Sequence, residues 1–153
     1  MSKERLLLVG AGGFGRVVSE LARQSFDCAF VDDGVEVGTI ICDIPVIGQT
    51  ADLHNLFAEY KNLVIVIGNN SVRERIYNMA KRIGYIFPNL ISSSAYISPY
   101  AKLGWGCVIL NNAVIQNGSC VGNGVLLNPG VEVHHDCLIA VSYTHLTLPT
   151  NSR

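Results

Sequence analysis

The sequence has no run near the roughly 20 apolar residues a membrane-spanning helix needs, so a membrane span is not expected. It has no surplus of either charge: 11 Lys+Arg stand against 12 Asp+Glu, for a formal net charge of -1. That balance argues against a nucleic-acid partner, because displacing counterions from phosphates takes a basic face. No CxxC pair occurs. The cysteines (Cys28, Cys42, Cys107, Cys120, Cys137) are scattered and odd in number, which speaks against a zinc ribbon or a redox motif and for buried free thiols. No export signal is evident. Leu6 to Val9 follow Lys3 and Arg5, but the run is short and leads straight into glycines, so it reads as a first strand of a cytoplasmic protein. What the chain does have is apolar material. A hydrophobic fraction of 49% excludes global disorder, and 153 residues allow one ordinary domain or two small ones.

The first half carries a strand, a glycine turn and a helix in close succession. Arg5 to Gly10 is a continuous apolar strand pattern. Gly10-Ala11-Gly12-Gly13-Phe14-Gly15 then satisfies GxGxxG through Gly10, Gly12 and Gly15. Val17, Val18, Leu21 and Ala22 follow at helical spacing, and a second strand, Cys28 to Val31, ends at Asp32-Asp33. Such glycines permit a tight turn and let backbone N–H groups approach a diphosphate at a helix N-terminus. Asp32 or Asp33 could accept hydrogen bonds from ribose or base. A turn that merely packs helix against strand is the bland alternative. Further on, Pro45 to Gly48 reads as extended, Thr50 as the N-cap of a helix from Ala51 to Tyr60, and Leu63 to Ile67 as a buried strand. Gly68-Asn69-Asn70 follows it. Ser71 is expected to cap a helix through Arg82 that stops at Gly84. This Gly-Asn-Asn turn would lie at a strand's C-terminal end, where ligands of open α/β sheets bind, so Asn69 and Asn70 could face the same ligand as Gly12 and Gly13. A turn needing residues tolerant of left-handed backbone fits them equally well.

From Ile91 the sequence falls into sixes. Ile91, Ile97, Leu103, Ile109, Ile115, Val121, Leu127, Val133 and Ile139 are consecutive aliphatics at a spacing of six. Chance gives such a run on the order of once in ten thousand. Four residues after each start stands a compact residue, from Ala95 through Cys107 and Ser119 to Cys137, and turn formers such as Gly122-Asn123-Gly124 lie between. This is the hexapeptide repeat of a parallel β-helix, with the aliphatic inside and the compact residue near a corner. One hexad differs: Val133-His134-His135-Asp136-Cys137-Leu138 puts two histidines and an acid on an outward-facing corner. A His–Asp pair there can act as a general base, the carboxylate fixing the tautomer. A solvated corner is the plain alternative. A metal site lacks a third histidine on neighbouring hexads.

Together the two halves resemble the sugar O-acyltransferase family that includes sialic acid O-acetyltransferases and the UDP-4-amino-sugar N-acetyltransferases of bacillosamine pathways, within the hexapeptide-repeat transferases. The resemblance runs from about Leu6 to Ile139. It rests on Gly10 to Arg16, Phe30 to Asp33, Val66 to Asn70 with Arg73, and Asn128-Pro129-Gly130 through His135-Asp136-Cys137. It implies a Rossmann-like α/β domain over 1–88 that binds a sugar-nucleotide, then a left-handed parallel β-helix over 89–140 with three hexads per coil. It implies His135 as the base, Asp136 orienting it, and Asn128 as a supporting polar group. Gly10, Gly12, Gly13, Asp32, Asp33, Gly68 and Asn69 would form the substrate-binding surface. Acetyl-CoA is the implied co-substrate, without a metal, and a UDP-amino sugar or a sialic acid the implied acceptor. A homotrimer and direct attack on the thioester are implied as well. Two departures stand out: Pro129 where the family often has Thr, and Ser92-Ser93-Ser94 where it often has His-Pro-Ser.

After Ile139 the aliphatic period fails at His145. Val141 to Thr150 resembles the translation of a transposase adapter used in sequencing libraries, so 141–153 is read as a non-native tail. On that reading the β-helix is incomplete and this chain inactive, with a UDP-sugar stabilising it more than acetyl-CoA. A natural polar cap is the competing view. Two other functions remain open to the sequence, an NAD-dependent oxidoreductase on the glycine motif alone and a non-catalytic sugar-nucleotide-binding protein; a zinc hydratase on the same prism is disfavoured by the absence of three suitably spaced histidines.

Overall fold

A computed structural model describes residues 2–140 and, as backbone only, 144 and 145. The reading of 141–153 as an adapter therefore falls almost wholly outside the described residues. The chain divides into two compact units, Met1–Pro88 and Asn89–Arg153.

The first unit is an α/β sheet. Its elements in chain order are β1 (Glu4–Val9), α1 (Gly13–Ala22), β2 (Phe26–Val31), β3 (Ile40–Ile41), β4 (Ile44–Gly48), a 3-10 turn (Thr50–Asp52), α2 (Leu53–Leu56), β5 (Asn62–Ile65) and α3 (Asn70–Ile83). The strand order is β3-β4-β2-β1-β5, parallel except for β3. Leu6 to Val9 and Leu63 to Ile65 are fully buried. Helices cover both faces of such sheets, so these strands read as unbroken apolar runs rather than alternating ones. The chain steps from β1 outward to β2 and β4, then returns to the other side of β1 with β5. The direction of strand addition thus reverses between β1 and β5, which opens a crevice at their C-terminal ends.

Local details differ from the sequence reading. Residues 51–60 are not one helix: a 3-10 turn leads into the short α2. Gln49, not Thr50, is the N-cap, with its own N–H held by Asp52 Oδ2 at 2.8 Å. The cap of α3 is Asn69 rather than Ser71, its Oδ1 accepting the Val72 N–H at 3.0 Å. The β3–β4 hairpin was not foreseen. Its two loop residues, Cys42 and Asp43, have φ 51° and 65°, the left-handed pair of a type I′ turn, which sequences usually mark with Asn-Gly.

Tyr85 closes the base of this unit. Its hydroxyl donates to the Leu53 carbonyl at 2.5 Å, and its ring meets Phe57 edge-on at 5.0 Å. Burial pushes its pKa from 10.0 up to about 12, and burial likewise pushes Cys28 from 9.0 to about 11, with Asp27 adding to the rise. A raised pKa favours the protonated folded form. The stability it contributes is whole below the ordinary value and is lost as pH rises through the folded one. Unfolding free energy is therefore expected to fall between pH 9 and 12. Tyr85→Phe should flatten the part above pH 10, while costing about 1 kcal/mol at neutral pH for the lost hydrogen bond, since the Leu53 carbonyl keeps the Phe57 N–H at 3.2 Å. Urea unfolding across that pH range reads both effects; an unaltered slope above pH 10 would refute the assignment to Tyr85.

The second unit is a three-sided prism of two-residue strands. One side carries β6 (Leu90–Ile91), β9 (Val108–Ile109), β12 (Leu126–Leu127) and β15 (Thr144–His145). The next carries β7 (Tyr96–Ile97), β10 (Val114–Ile115) and β13 (Glu132–Val133). The third carries β8 (Lys102–Leu103), β11 (Cys120–Val121) and β14 (Leu138–Ile139). All pairs are parallel, and each partner lies one coil of three hexads away, as in Ile97↔Ile115↔Val133. The inward aliphatics from Ile109 to Ile139 are buried, packed with Cys107, Ala113, Val125, Val131 and Cys137. Ile91 of the first coil is 40% exposed. The backbone register continues to Leu127↔His145, beyond the last aliphatic of the repeat.

The fourth residue of each hexad from Gly106 on turns the corner with positive φ: Gly106, Asn112, Gly118, Gly124, Gly130 and Asp136. Glycine pays no steric penalty there, and Asn and Asp are the side chains that tolerate it best.

Candidate active site

The crevice of the α/β unit gathers most of its expected ligand-binding residues. The turn after β1 and the loop after β5 touch: a Cβ on Gly10 would lie 2.8 Å from the Val66 carbonyl oxygen, and Gly10 has φ +119°. A Cβ on Gly15 would overlap the Gly10 carbonyl oxygen. These two glycines serve close packing. Gly12 and Gly68 are different: nothing lies within 4 Å of where their Cβ would be. At Gly13 only an Arg16 terminal nitrogen comes near, at 3.7 Å. The open glycines thus present bare backbone beside the α1 N-terminus, where Gly12 supplies no side-chain cap and no acid occupies the first turn. That is an arrangement suited to an anionic group.

The two aspartates are tied down. Asp32 accepts the Ala11 N–H through Oδ2 at 2.7 Å and the Gly34 N–H through Oδ1 at 2.8 Å, so it braces the glycine turn. Asp33 accepts the Thr50 N–H through Oδ1 at 2.7 Å and the Thr50 hydroxyl through Oδ2 at 2.8 Å. Asn69 caps α3 and also accepts from the Ser71 hydroxyl at 2.8 Å. Each has a structural duty before any ligand arrives.

Arg73 is the residue whose part the sequence did not disclose. It is fully buried on α3, and its guanidinium donates to the Ile67 carbonyl at 2.8 Å and to Asn70 Oδ1 at 2.9 Å. Burial lowers its pKa. It holds the loop after β5 from beneath. An arginine on a helix rich in charge reads as solvent-facing, so only its recurrence in the resemblance hinted at it.

On the prism, His135 and Asp136 stand together on the corner after β13. His135 Nδ1 is 3.1 Å from Asp136 Oδ2, and the two side chains are 69% and 76% exposed. A carboxylate only accepts, so this contact puts the proton on Nδ1 and leaves the Nε2 lone pair free to take one. The corner one coil below is its seat. Asn117 C=O accepts the Asp136 N–H at 3.0 Å. The buried Ser119 hydroxyl donates to the His134 carbonyl at 2.6 Å and accepts the Cys137 N–H at 3.1 Å, so it grips both flanks of the turn. His134 points elsewhere. Its Nε2 is buried 3.4 Å from Glu132 Oε1 without a hydrogen bond, while Gln116 Nε2 donates to Glu132 Oε2 at 3.1 Å. Asn128 lies on the preceding corner, across β13, with its carbonyl accepting the Val131 N–H at 3.2 Å. Among the described residues no hydrogen bond links Asn128 to His135, and no group of three or more His, Cys, Asp or Glu is placed to hold a metal. No helix among them is long and apolar enough to cross a membrane.

The fold of both units is shared with known proteins. Residues 5–80 match the PglD N-terminal domain family. The acetyltransferase domain of PglB from Neisseria gonorrhoeae, solved with acetyl coenzyme A, is 36% identical, with a TM-score of 0.86 over 94% of this chain and 70% of that one. A variant of GDP-perosamine N-acetyl transferase from Caulobacter crescentus, solved with CoA and GDP-perosamine, is 27% identical, with a TM-score of 0.86 over 91% and 67%. WeeI from Acinetobacter baumannii is 28% identical, with a TM-score of 0.84 over 93% and 69%. The fold and these matches define a hexapeptide-repeat acyltransferase, a left-handed parallel β-helix preceded by a Rossmann-like unit. Within that class the chain belongs to the sugar N-acetyltransferase family. The oxidoreductase reading falls with this result.

Proposed function

We propose that the protein to which this chain belongs transfers an acetyl group from acetyl-CoA to the amine of a nucleotide-linked amino sugar. The observation that carries the reading is the His135–Asp136 contact at 3.1 Å on an outward corner. In the proposed step the sugar nitrogen attacks the thioester carbonyl carbon. His135 Nε2 takes the proton from that nitrogen, the carbonyl re-forms, and the C–S bond breaks. CoA leaves as a thiolate that recovers the proton from His135. The acetyl group passes directly, with no covalent enzyme intermediate. Asn128 is the supporting polar group. Because it stands on a different corner, it would act through a neighbouring copy in a homotrimer.

The nucleotide diphosphate would rest on the bare backbone of Gly12, Gly13 and Gly68 at the α1 N-terminus, with Gly10, Asp32, Asp33 and Asn69 shaping that surface. The bound acetyl donor and amino sugar of the relatives support an amine over a hydroxyl acceptor, and a nucleotide-linked sugar over a free sialic acid. The test is a panel of UDP- and GDP-linked amino sugars, the matching hydroxy sugars and sialic acids, each with acetyl-CoA, following free CoA thiol. Turnover confined to nucleotide-linked amines is the expected result. Turnover of sialic acid alone would move the assignment to O-acetylation. Tight saturable binding of a nucleotide sugar without turnover would favour a non-catalytic binding protein.

A further inference from the structure

We infer that Gly118 is a positioning residue for the His135–Asp136 pair, acting from one coil below through the side chain it lacks. The inference rests on the reading of His135 as the base.

Asp136 stands one full coil above Gly118, and its Oδ1 fills the place a Cβ on Gly118 would take; Asp136 Cγ would be 3.2 Å from that Cβ. The nearest backbone atom, Asp136 N, would be 3.7 Å away, an ordinary contact. A methyl group here therefore leaves the coil above in place and displaces only a carboxylate. The two carboxylate oxygens turn as one rigid plane, so pushing Oδ1 aside carries Oδ2 away from His135 Nδ1. Gly104 shows the opposite case. A Cβ there would press on the backbone of Asn123 as well, at 2.7 Å from N and 2.9 Å from Cα, and would wedge the coils apart.

A side chain at 118 is strained by the left-handed backbone, but the corner position does not exclude one. The Gly118 φ of +81° belongs to the left-handed corner position that Asn112 and Asp136 also occupy, at 59° and 58°. What sets 118 apart is its neighbour. At this position Asn112 stands above Ser94, whose Oγ accepts the Asn112 N–H at 3.1 Å, whereas Gly118 lies under an Asp136 carboxylate that fills the place of its missing Cβ. Gly118 leaves the room that the Asp136 carboxylate occupies.

The experiment compares Gly118→Ala and Asp136→Asn, singly and combined, by the ¹⁵N spectrum of the His135 ring and by kcat. The unaltered protein is expected to carry the His135 proton on Nδ1. Both single variants should shift the ring toward the Nε2–H tautomer and lower kcat about tenfold or more, with little change in KM for the sugar-nucleotide. In the Asp136→Asn background, adding Gly118→Ala should lower kcat no further. Asn112→Ala, which also places an alanine at a left-handed φ (59° against +81° at Gly118), should lower the melting temperature and leave the His135 spectrum alone. Gly118→Asn tolerates the φ yet carries a Cβ, and serves if the alanine variant folds poorly. An unchanged tautomer in Gly118→Ala, or an equal loss of kcat in both backgrounds, overturns the inference. Failure of the parent reading looks different: His135→Ala would keep full acetyl transfer, whatever the ring spectrum of the Gly118 variants shows.

Discussion

Replacing His135 with alanine is expected to lower acetyl transfer by about 10²–10⁴-fold, the range a general base supplies. Binding of nucleotide sugar and CoA should change little, so the loss falls on kcat. The expectation follows from the contact to Asp136, which holds the ring by Nδ1 and leaves Nε2 as the only basic ring atom. His134 is the internal control. It is adjacent in sequence, but its Nε2 is buried beside Glu132, and His134→Gln should keep most of the activity. Asp136 needs a considered substitution. Its φ of 58° costs an alanine roughly 1–2 kcal/mol of backbone strain, whereas Asn already stands at the equivalent position 112 with φ 59°. Asp136→Asn therefore removes charge and keeps the corner. If His135→Ala retains activity while His134→Gln loses it, the base has been misassigned.

The second large effect belongs to the fold of the α/β unit. Gly15→Ala places a Cβ on the Gly10 carbonyl oxygen and 2.9 Å from its carbon. Both are backbone atoms, so no side chain can swing aside, and α1 must lift from β1. A loss of about 3 kcal/mol or more is expected, at the upper end for overpacking. The two units offer separate signals. Every described helix lies before residue 88, while Trp105, the single tryptophan, reports on the prism. Helical circular dichroism should therefore melt early in Gly15→Ala, with Trp105 fluorescence following its usual course. Gly12→Ala makes the contrast. With nothing within 4 Å and φ near -79°, it should fold within about 1 kcal/mol of the unaltered protein and bind the sugar-nucleotide more weakly. Equal melting of Gly15→Ala and the unaltered protein would refute the packing argument.

Much of this was readable in advance, and the exceptions have physical causes. The hexads were plain because one aliphatic per face is a simple periodic demand. The His135–Asp136 pairing was also foreseen, because adjacent residues on one corner can meet without knowledge of anything distant. Gly118 and Ser119 could not be recognised as the seat of that pair: they act across a coil, and in the sequence they are one more turn among several. Arg73 was hidden for a related reason. Its carbonyl partner at Ile67 exists only once the loop after β5 folds over α3. The β3–β4 hairpin went unseen because Cys42 and Asp43 take left-handed conformations that their side chains do not advertise.

The regularity of the prism separates two kinds of error. Pro99, Asn117 and His135 occupy one edge because they differ by whole coils. Burial asks only that an aliphatic return every six residues; the edge on which the histidine emerges is fixed modulo three times that number. A chain that gained or lost a single hexad before β13 would still bury its aliphatics and still pair its strands, yet His135 would emerge a third of a turn away. Folding reads the shorter period, and the proposed role of His135 as base would read the longer one, so on that proposal a slip of one hexad is expected to cost activity without unfolding the prism.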